Sequence, residues 1–232
     1  MKQIVIAILA SISISICAQN IQLHYDTRHW MNSRDENRNY ITATYEMLKF
    51  DRYGSWFMFI DADFNQDKTN SNLGLMYTEI SRSFKFGDFP IQAHIEFNGG
   101  QTKYGVIENA YLGGIEYPFQ LKGFNITTYL AYKQNNFTKT SHDMQWTGVW
   151  DGNMFDNKLT FSGFIDIWSE NKDRKEGLGG KKIILMTEPQ IWYNLIPKKF
   201  SIGSEVEITS NFYPYSSDVL VYPTLAVKYI IE

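Results

Sequence analysis

Along IQAHIEFN, from Ile91 to Asn98, apolar and polar residues alternate: Ile91, Ala93, Ile95 and Phe97 on one side, Gln92, His94, Glu96 and Asn98 on the other. A period of two predicts a β-strand with one apolar and one wet face. Similar segments recur along the chain, at 20–28, 39–50, 55–64, 72–86, 90–99 and 109–118, then 124–134, 142–151, 158–169, 181–195, 199–210 and 219–231. No segment carries a helical period, and the pattern predicts one all-β domain of about twelve strands. Most of these strands are longer than the five or six residues of an ordinary soluble strand. A tilted strand that crosses a bilayer needs ~9–11.

The connections divide into two sets. One reads DRYG, GDF, FQLKG, GNMFDN and IPK; the other spans 29–38, 65–71, 100–108, 135–141, 170–180 and 211–218. Short and long connections in strict alternation, with an even strand count, predict a transmembrane barrel with short periplasmic turns and longer external loops. In such a barrel the apolar faces point outward to lipid. Trp56, Met58 and Ile60, Ile126 and Leu130, Phe161 and Ile165, and Ile202, Val206 and Ile208 are expected there. Tyr40, Trp150, Tyr193 and Tyr229 fall near strand ends, where interfacial girdles sit. Strand 72–86 has mixed register, leaving open whether Glu79 or Arg82 faces inward, and Pro189 and Pro223 each require a bulge or a strand end.

The inner face is expected to carry the pore lining. Its polar members are His24, Glu46, Asp61, Asp63, Gln92, His94, Glu96, Asn98, Asp166, Glu188, Gln190, Glu205 and Glu207. Its aromatic members are Phe57, Phe59, Phe164, Trp168 and Trp192. A carboxylate-rich lining favours neutral or cationic solutes and repels anions. Aromatic rings in a lumen offer stacking surfaces, which suits a nucleoside because base–aromatic stacking is worth about 1–3 kcal/mol per base. The opposing reading is a filled interior in which Arg28, Lys133 and Lys228 pair with the carboxylates. Twelve strands lie between the packed eight and the open sixteen of known barrels, so a narrow channel is the expectation.

The start of the chain, MKQIVIAILASISISICAQN, places Lys2 before an apolar run and a small residue, Ala18, after it. That is the pattern of a secretory signal peptide over residues 1–18, with the barrel occupying 19–232. The apolar run is too short for a spanning helix. Cys17, the sole cysteine, leaves with the signal, so the mature barrel relies on hydrogen bonding and packing without disulfides. A formal charge of −3 and the lack of a Lys/Arg cluster argue against nucleic acid as a partner. The expected partners are outer-membrane lipid and a small polar solute, with a monomer as the expected state.

The segments NIQLHYD, NYITATYEMLKFDRYGSWFMFIDADFN, AHIEFNGG, LTFSGFIDIW, EPQIWYNL, GSEVEITSNF and PTLAVKY resemble a family of small bacterial outer-membrane proteins classed as a domain of unknown function. That family in turn looks like a relative of the Tsx nucleoside-specific channels, which are twelve-stranded monomeric barrels. The resemblance implies an outer-membrane channel of Gram-negative bacteria with nucleosides as a candidate solute. One departure lies at the end, where YIIE replaces the terminal aromatic residue common in such barrels.

Other chemistry is weaker. DADFNQDKTNSN offers Asp61, Asp63, Asn65 and Asp67 at alternate positions but lacks the glycine and glutamate of a calcium loop, so a solvated external loop is the reading. Ser141 beside His142, and Ser33 near His29, raise a lipid-cleaving barrel enzyme as an alternative. Neighbours on a strand point to opposite faces, which makes an adjacent Ser–His pair poor evidence. EGLGGKK lacks the spacing of a phosphate loop. No enzyme activity, metal or cofactor is expected.

Overall fold

A computed structural model of the chain describes residues 16–31, 39–64, 73–213 and 217–231. The strands are β1 (Ile16–Asp26), β2 (Ile41–Asp51), β3 (Gly54–Phe64), β4 (Leu73–Phe84), β5 (Gln92–Thr102), β6 (Gly105–Leu121) and β7 (Phe124–Asn135). They continue as β8 (Ser141–Met154), β9 (Leu159–Asn171), β10 (Lys181–Thr187), β11 (Gln190–Ile196), β12 (Phe200–Ser210) and β13 (Leu220–Ile230). Each pairs antiparallel with its neighbour, and β1 pairs with β13 from Asn20↔Ile230 to Asp26↔Thr224, which closes the sheet. Strands β10 and β11 both lie between β9 and β12, so they are two halves of one stave. The thirteen strands therefore make a closed barrel of twelve staves. Closure satisfies the backbone without leaving an edge, as a spanning sheet requires.

The interruption replaces the single strand expected over 181–195. Pro189 has no N–H to give to a ladder, and the stave breaks at Glu188–Pro189. The Glu188 amide donates to the Phe164 carbonyl (3.1 Å), and the Val206 amide donates to the Pro189 carbonyl (3.0 Å). Gly163 on β9 makes room: a Cβ there would stand 2.5 Å from the Glu188 carbonyl oxygen. Pro223 falls one residue beyond the β1–β13 ladder, a ladder end on that side, and its carbonyl accepts from the Thr27 hydroxyl at 2.5 Å.

The short connections include Arg52–Tyr53 and the hairpin turn Lys122–Gly123, where both residues have positive φ (49° and 87°), as a two-residue turn between twisted strands demands. Several expectations need correction. The predicted loop 100–108 is strand: β5 runs to Thr102, β6 starts at Gly105, and Lys103–Tyr104 turn between them. Gly99 and Gly100 therefore sit inside β5, beside a register shift against β6 between Asn98 and Gly100. The GDF turn occupies all of 85–91. A short helix, Arg28–Met31, follows β1 where strand was expected to continue to residue 28. Glu232 and the loops 65–72 and 214–216 lie outside the described residues.

The outer face is apolar. Leu23, Ile95 and Leu130 are each more than a third exposed between buried neighbours, and Ile21, Trp56, Ile202 and Leu225 are as exposed beside buried or half-buried ones. That inversion of the soluble pattern belongs to a transmembrane barrel. Tyr193 and Tyr229 join this face near strand ends (49% and 45% exposed). Tyr40 does not: it is buried, and its hydroxyl accepts from Arg28 Nη2 at 3.1 Å. In β4 the register places Glu79 inward, opposite Phe59 and Asn98, and Arg82 outward, opposite Trp56 and Ile95. Arg82 is nevertheless buried, because its guanidinium lies 5.1 Å from the ring centroids of both Trp56 and Phe84 and donates to Asp51 at 2.9 Å. A cation on the lipid face is tolerable when rings cover it and a carboxylate near the strand end pairs with it.

Candidate functional site: the barrel interior

Cross-strand partners share a face, so the ladders map the interior without ambiguity. Thr44↔Asp61↔Tyr77 and Glu46↔Phe59↔Glu79↔Asn98 run across β2 to β5, and Glu96↔Leu112↔Lys133↔Asp143 runs across β5 to β8. Gln145↔Trp168 and Thr147↔Asp166 lead into β9, and Ser162↔Gln190↔Glu205 crosses β9, β11 and β12. Every expected lining residue on a strand is on this inner face. Glu188, in the break, stands between inward Met186 and inward Gln190.

The interior has two kinds of wall. On β5 to β8 the lining is packed. His94 places Nδ1 at 2.8 Å from Glu116 Oε2 and Nε2 at 3.1 Å from Glu96 Oε2. The Ser83 hydroxyl also donates to Glu116 (2.6 Å), and the Tyr129 hydroxyl donates to Glu96 (2.8 Å). Tyr129 stacks on the His94 ring at 4.1 Å. His94, Glu96 and Glu116 are only 3%, 8% and 7% exposed, so this is a buried network whose donors and acceptors depend on one another. Gln92, Asn98 and Asp63 are buried as well, as are Trp168 and Trp192.

On β2 to β4, β9, β11 and β12, and at the break, much of the lining is less tightly packed. Glu46, Phe57, Phe59, Asp61, Phe164, Asp166, Glu188, Gln190, Glu205 and Glu207 are all half-buried, as are Tyr77 and Glu79. Their carboxylates receive hydrogen bonds from neutral donors: Asp61 from Thr44 (2.5 Å), Glu46 from Asn20 (2.9 Å), and Asp166 from Thr147 (2.5 Å). Glu79 accepts from Tyr77 (2.7 Å), Glu205 from Gln190 (2.6 Å), and Glu207 from Tyr213 (2.8 Å). Asp63 accepts from Thr42 at 2.6 Å. His24, buried on β1, brings an imidazole to 3.8 Å from Glu205.

The cations expected to neutralise this lining form no ion pair with its half-buried carboxylates, although Lys228 stays in the field of Glu46 and Glu205, and Lys133 in that of Asp166 and Glu79. Lys133 donates to Gln145 Oε1 (2.6 Å) and lies 4.4 Å from the Trp168 ring centroid. Lys228 lies 4.0 Å from the centroid of Trp192. Arg28 is held by Asp26 at 2.5 Å. Trp168 and Trp192, read from sequence as stacking surfaces for a solute, are thus covered by lysines. Trp192 is 1% exposed because Gly203 on β12 lets it lie flat: a Cβ at Gly203 would meet the indole at 2.7 Å.

Ser141 points inward and accepts from Lys181 Nζ at 2.8 Å, whereas His142 is exposed and bonds Tyr132. The adjacent pair therefore does not converge. Asp61 and Asp63 are strand residues bonded to threonines, and the run from Asn65 to Asn72, like Ser33, lies outside the described residues. Among the described residues no three acidic, imidazole or thiol groups gather as a metal site.

Sequence reasoning missed Glu116, Tyr129, Tyr77, Ser83 and Asp143. In β6 the inward neighbours of Glu116 are Gly114, Leu112 and Ala110, so its inner face reads as apolar or small and the alternation is masked. The signal that remained was pairing: a strand carrying inward His94 must find a counter-charge on one of its two neighbours.

A closed antiparallel barrel with an apolar exterior and a polar lumen defines a porin-type outer-membrane fold. The chain is similar in structure to the NanC porin, with a TM-score of 0.58 and 10% identical residues, covering 91% of this chain and 99% of that one. It is also similar to the KdgM porin, with a TM-score of 0.49 and 10% identity over 92% and 98% of the two chains. No curated protein matches by sequence. The chain belongs to the family described as domain of unknown function DUF5020, whose profile matches residues 18–231.

Proposed function

We propose that this protein is an outer-membrane channel that passes small polar solutes passively and discriminates against anions. One observation carries the reading: the half-buried carboxylates of Glu46, Asp61, Glu79, Asp166 and Glu205 take hydrogen bonds from neutral groups, while the inward Lys133 and Lys228 are turned to an amide and to rings and, of the described inward lysines, only Lys182, toward the rim, pairs with an inward carboxylate, Glu170. The lumen therefore keeps a negative field, and such a field in a low-dielectric wall raises the local concentration of cations and lowers that of anions. The likeness to a protein named as a porin supports passive transport, and the apolar outer face supports residence in the outer membrane of a Gram-negative bacterium.

Nucleosides are the solute class favoured within this reading, in line with the sequence resemblance that suggests Tsx-like channels. Phe57, Phe59, Tyr77 and Phe164 offer half-buried rings beside carboxylates that accept from ribose hydroxyls. A barrel without conductance is the competing reading, and the packed wall of β5 to β8 is what favours it. Purified protein in planar bilayers under a KCl gradient separates the two: the expected reversal potential is that of a cation-preferring pore, and absence of conductance removes the channel. Liposome swelling with nucleosides, sugars and amino acids of similar size tests the solute class. Equal rates would leave the channel standing without the nucleoside preference.

Export by a signal peptide over residues 1–18 belongs to the same proposal. A chain beginning at Gln19 keeps every β1–β13 pair and the bond from the Ile231 amide to the Gln19 carbonyl (2.8 Å). Amino-terminal sequencing of the membrane-inserted protein is expected to start at Gln19. An intact Met1 would refute the cleavage.

A further inference from the structure

The channel reading leaves the half-buried carboxylates equivalent, yet one of them has distinct surroundings. Glu79 projects inward from the middle of β4 between two rows of cross-strand partners. On one side stands Phe59, and Tyr77 lies two residues along the same strand face, with the two ring centroids 5.9 Å apart. On the other side stands Asn98, with Glu96 next to it on β5. The Tyr77 hydroxyl donates to Glu79 Oε1 at 2.7 Å, and no described residue donates to Oε2.

The β5 side of this position holds acceptors without donors. Asn98 Oδ1 and Glu96 Oε1 are buried and take no hydrogen bond, and the residues are 6% and 8% exposed. The nearby donors face elsewhere or are shared: His94 and Tyr129 on Glu96 Oε2, Ser83 on Glu116, Lys133 on Gln145, and the Asn98 amide turned toward the Glu96 carboxylate. A buried acceptor left unpaired costs roughly 1–3 kcal/mol, so the wall favours a ligand that brings N–H donors. The Glu79 carboxylate also lies in the field of Glu96 on the neighbouring strand and of Asp166, with the Lys133 ammonium acting against them.

A carboxylate, an amide oxygen and two aromatic rings in one place match an organic cation better than a metal ion. Ring faces attract a diffuse ammonium or guanidinium through their quadrupole, and the fork of a guanidinium satisfies a carboxylate and a neighbouring acceptor together. No three metal ligands converge among the described residues. We propose that Glu79, Asn98 and Glu96, with the rings of Phe59 and Tyr77, form a subsite for the ammonium or guanidinium group of a small organic cation. The proposal rests on the channel reading for its access route and adds organic cations as a bound solute class beside the uncharged nucleosides favoured there.

Agmatine, which carries a guanidinium and a primary ammonium, is the probe. Calorimetric titration into the full-length protein folded in detergent reads binding directly and does not depend on conductance. Saturable binding is expected in the wild type, competed by guanidinium chloride and not by equal KCl. Glu79→Gln is expected to weaken binding about tenfold or more, the scale of a lost charge-assisted pair. Phe59→Leu is expected to weaken it about threefold. Glu207→Gln removes the same charge elsewhere in the lumen and sets the scale of the general field. An effect of Glu207→Gln equal to that of Glu79→Gln would overturn the subsite, as would wild-type protein that binds no agmatine. Should Glu79→Gln fail to show the heat-modifiable gel mobility of a folded barrel, Asn98→Leu replaces it with the same expectation of weakened binding. Bilayer recordings then keep the two proposals apart: a cation-preferring pore that agmatine does not block retains the channel and loses the subsite, whereas agmatine binding without conductance loses the channel alone.

Discussion

His94 shows how much of this interior depends on single residues. Both of its ring nitrogens face carboxylate oxygens, 2.8 Å and 3.1 Å away, and all three side chains are more than nine-tenths buried. Replacing it by alanine strands Glu96 and Glu116 with only the hydroxyls of Tyr129 and Ser83. Removing one partner of a buried charged network costs about 3–5 kcal/mol because the remaining charge stays desolvated. His94→Ala is therefore expected to lower the unfolding free energy in detergent by at least ~2 kcal/mol, read as a fall in the urea midpoint; an unchanged midpoint would mean that the network contributes little. Arg82 teaches the reverse lesson. Its burial was legible from no pattern, since an outward position on a lipid-facing strand calls for an apolar residue, and only Trp56, Phe84 and Asp51 around it make the charge tolerable.

At the scale of elements, the strands were legible because membrane strands are long and their period is strict. The proposed boundaries of β3 (55–64) and β7 (124–134) differ from the observed ones by a single residue at an end. The broken stave was half-legible: Pro189 announced a defect, and Gly163, a strand away in space and 26 positions earlier, supplies the room for it. Gly163→Ala is expected to destabilise the barrel by about 1–3 kcal/mol, since its φ of +148° and the 2.5 Å approach to Glu188 both oppose a side chain. A thermal midpoint equal to wild type would contradict that account. At the outer ends of β8 and β10, Lys181 donates to Ser141 (2.8 Å) and Asp143 (2.7 Å), and the Asp143 side chain is wholly buried. Lys181→Met leaves that carboxylate without a counter-charge, held by the neutral groups of Asn135 (2.9 Å) and Ser169 (3.0 Å), and should cost about 2 kcal/mol, with Lys181→Arg recovering part of it. The 100–108 connection was misread because Gly99, Gly100 and Gly105 resemble a loop, whereas the register shift beside Gly99 lets the hairpin extend to a two-residue turn.

For the whole molecule the balance of charge matters more than its total. A formal charge of −3 is modest, yet the less tightly packed part of the lumen concentrates carboxylates while its lysines cover Trp168 and Trp192. Salt should therefore weaken the cation preference of the channel, because screening shortens from about 10 Å at 0.1 M to about 3 Å at 1 M. Reversal potentials under equal concentration ratios, measured at low and high KCl, are expected to move toward zero as salt rises; no movement would place selectivity in pore size instead of charge. A closed barrel with paired β1 and β13 has no edge for a second copy to join, and light scattering in detergent is expected to return the mass of one chain plus its micelle. What the order of residues determined by itself is the barrel and the sidedness of its walls, because a two-residue period assigns each strand residue to lipid or lumen without reference to any partner. The tertiary structure alone decided which inward residues meet: that His94 takes Glu116, that lysines cover Trp168 and Trp192, and that Glu79 stands between rings and an unpaired amide. Those contacts join residues on different staves, and cross-strand register follows from the closure and the local breaks of the whole sheet, which no single segment encodes.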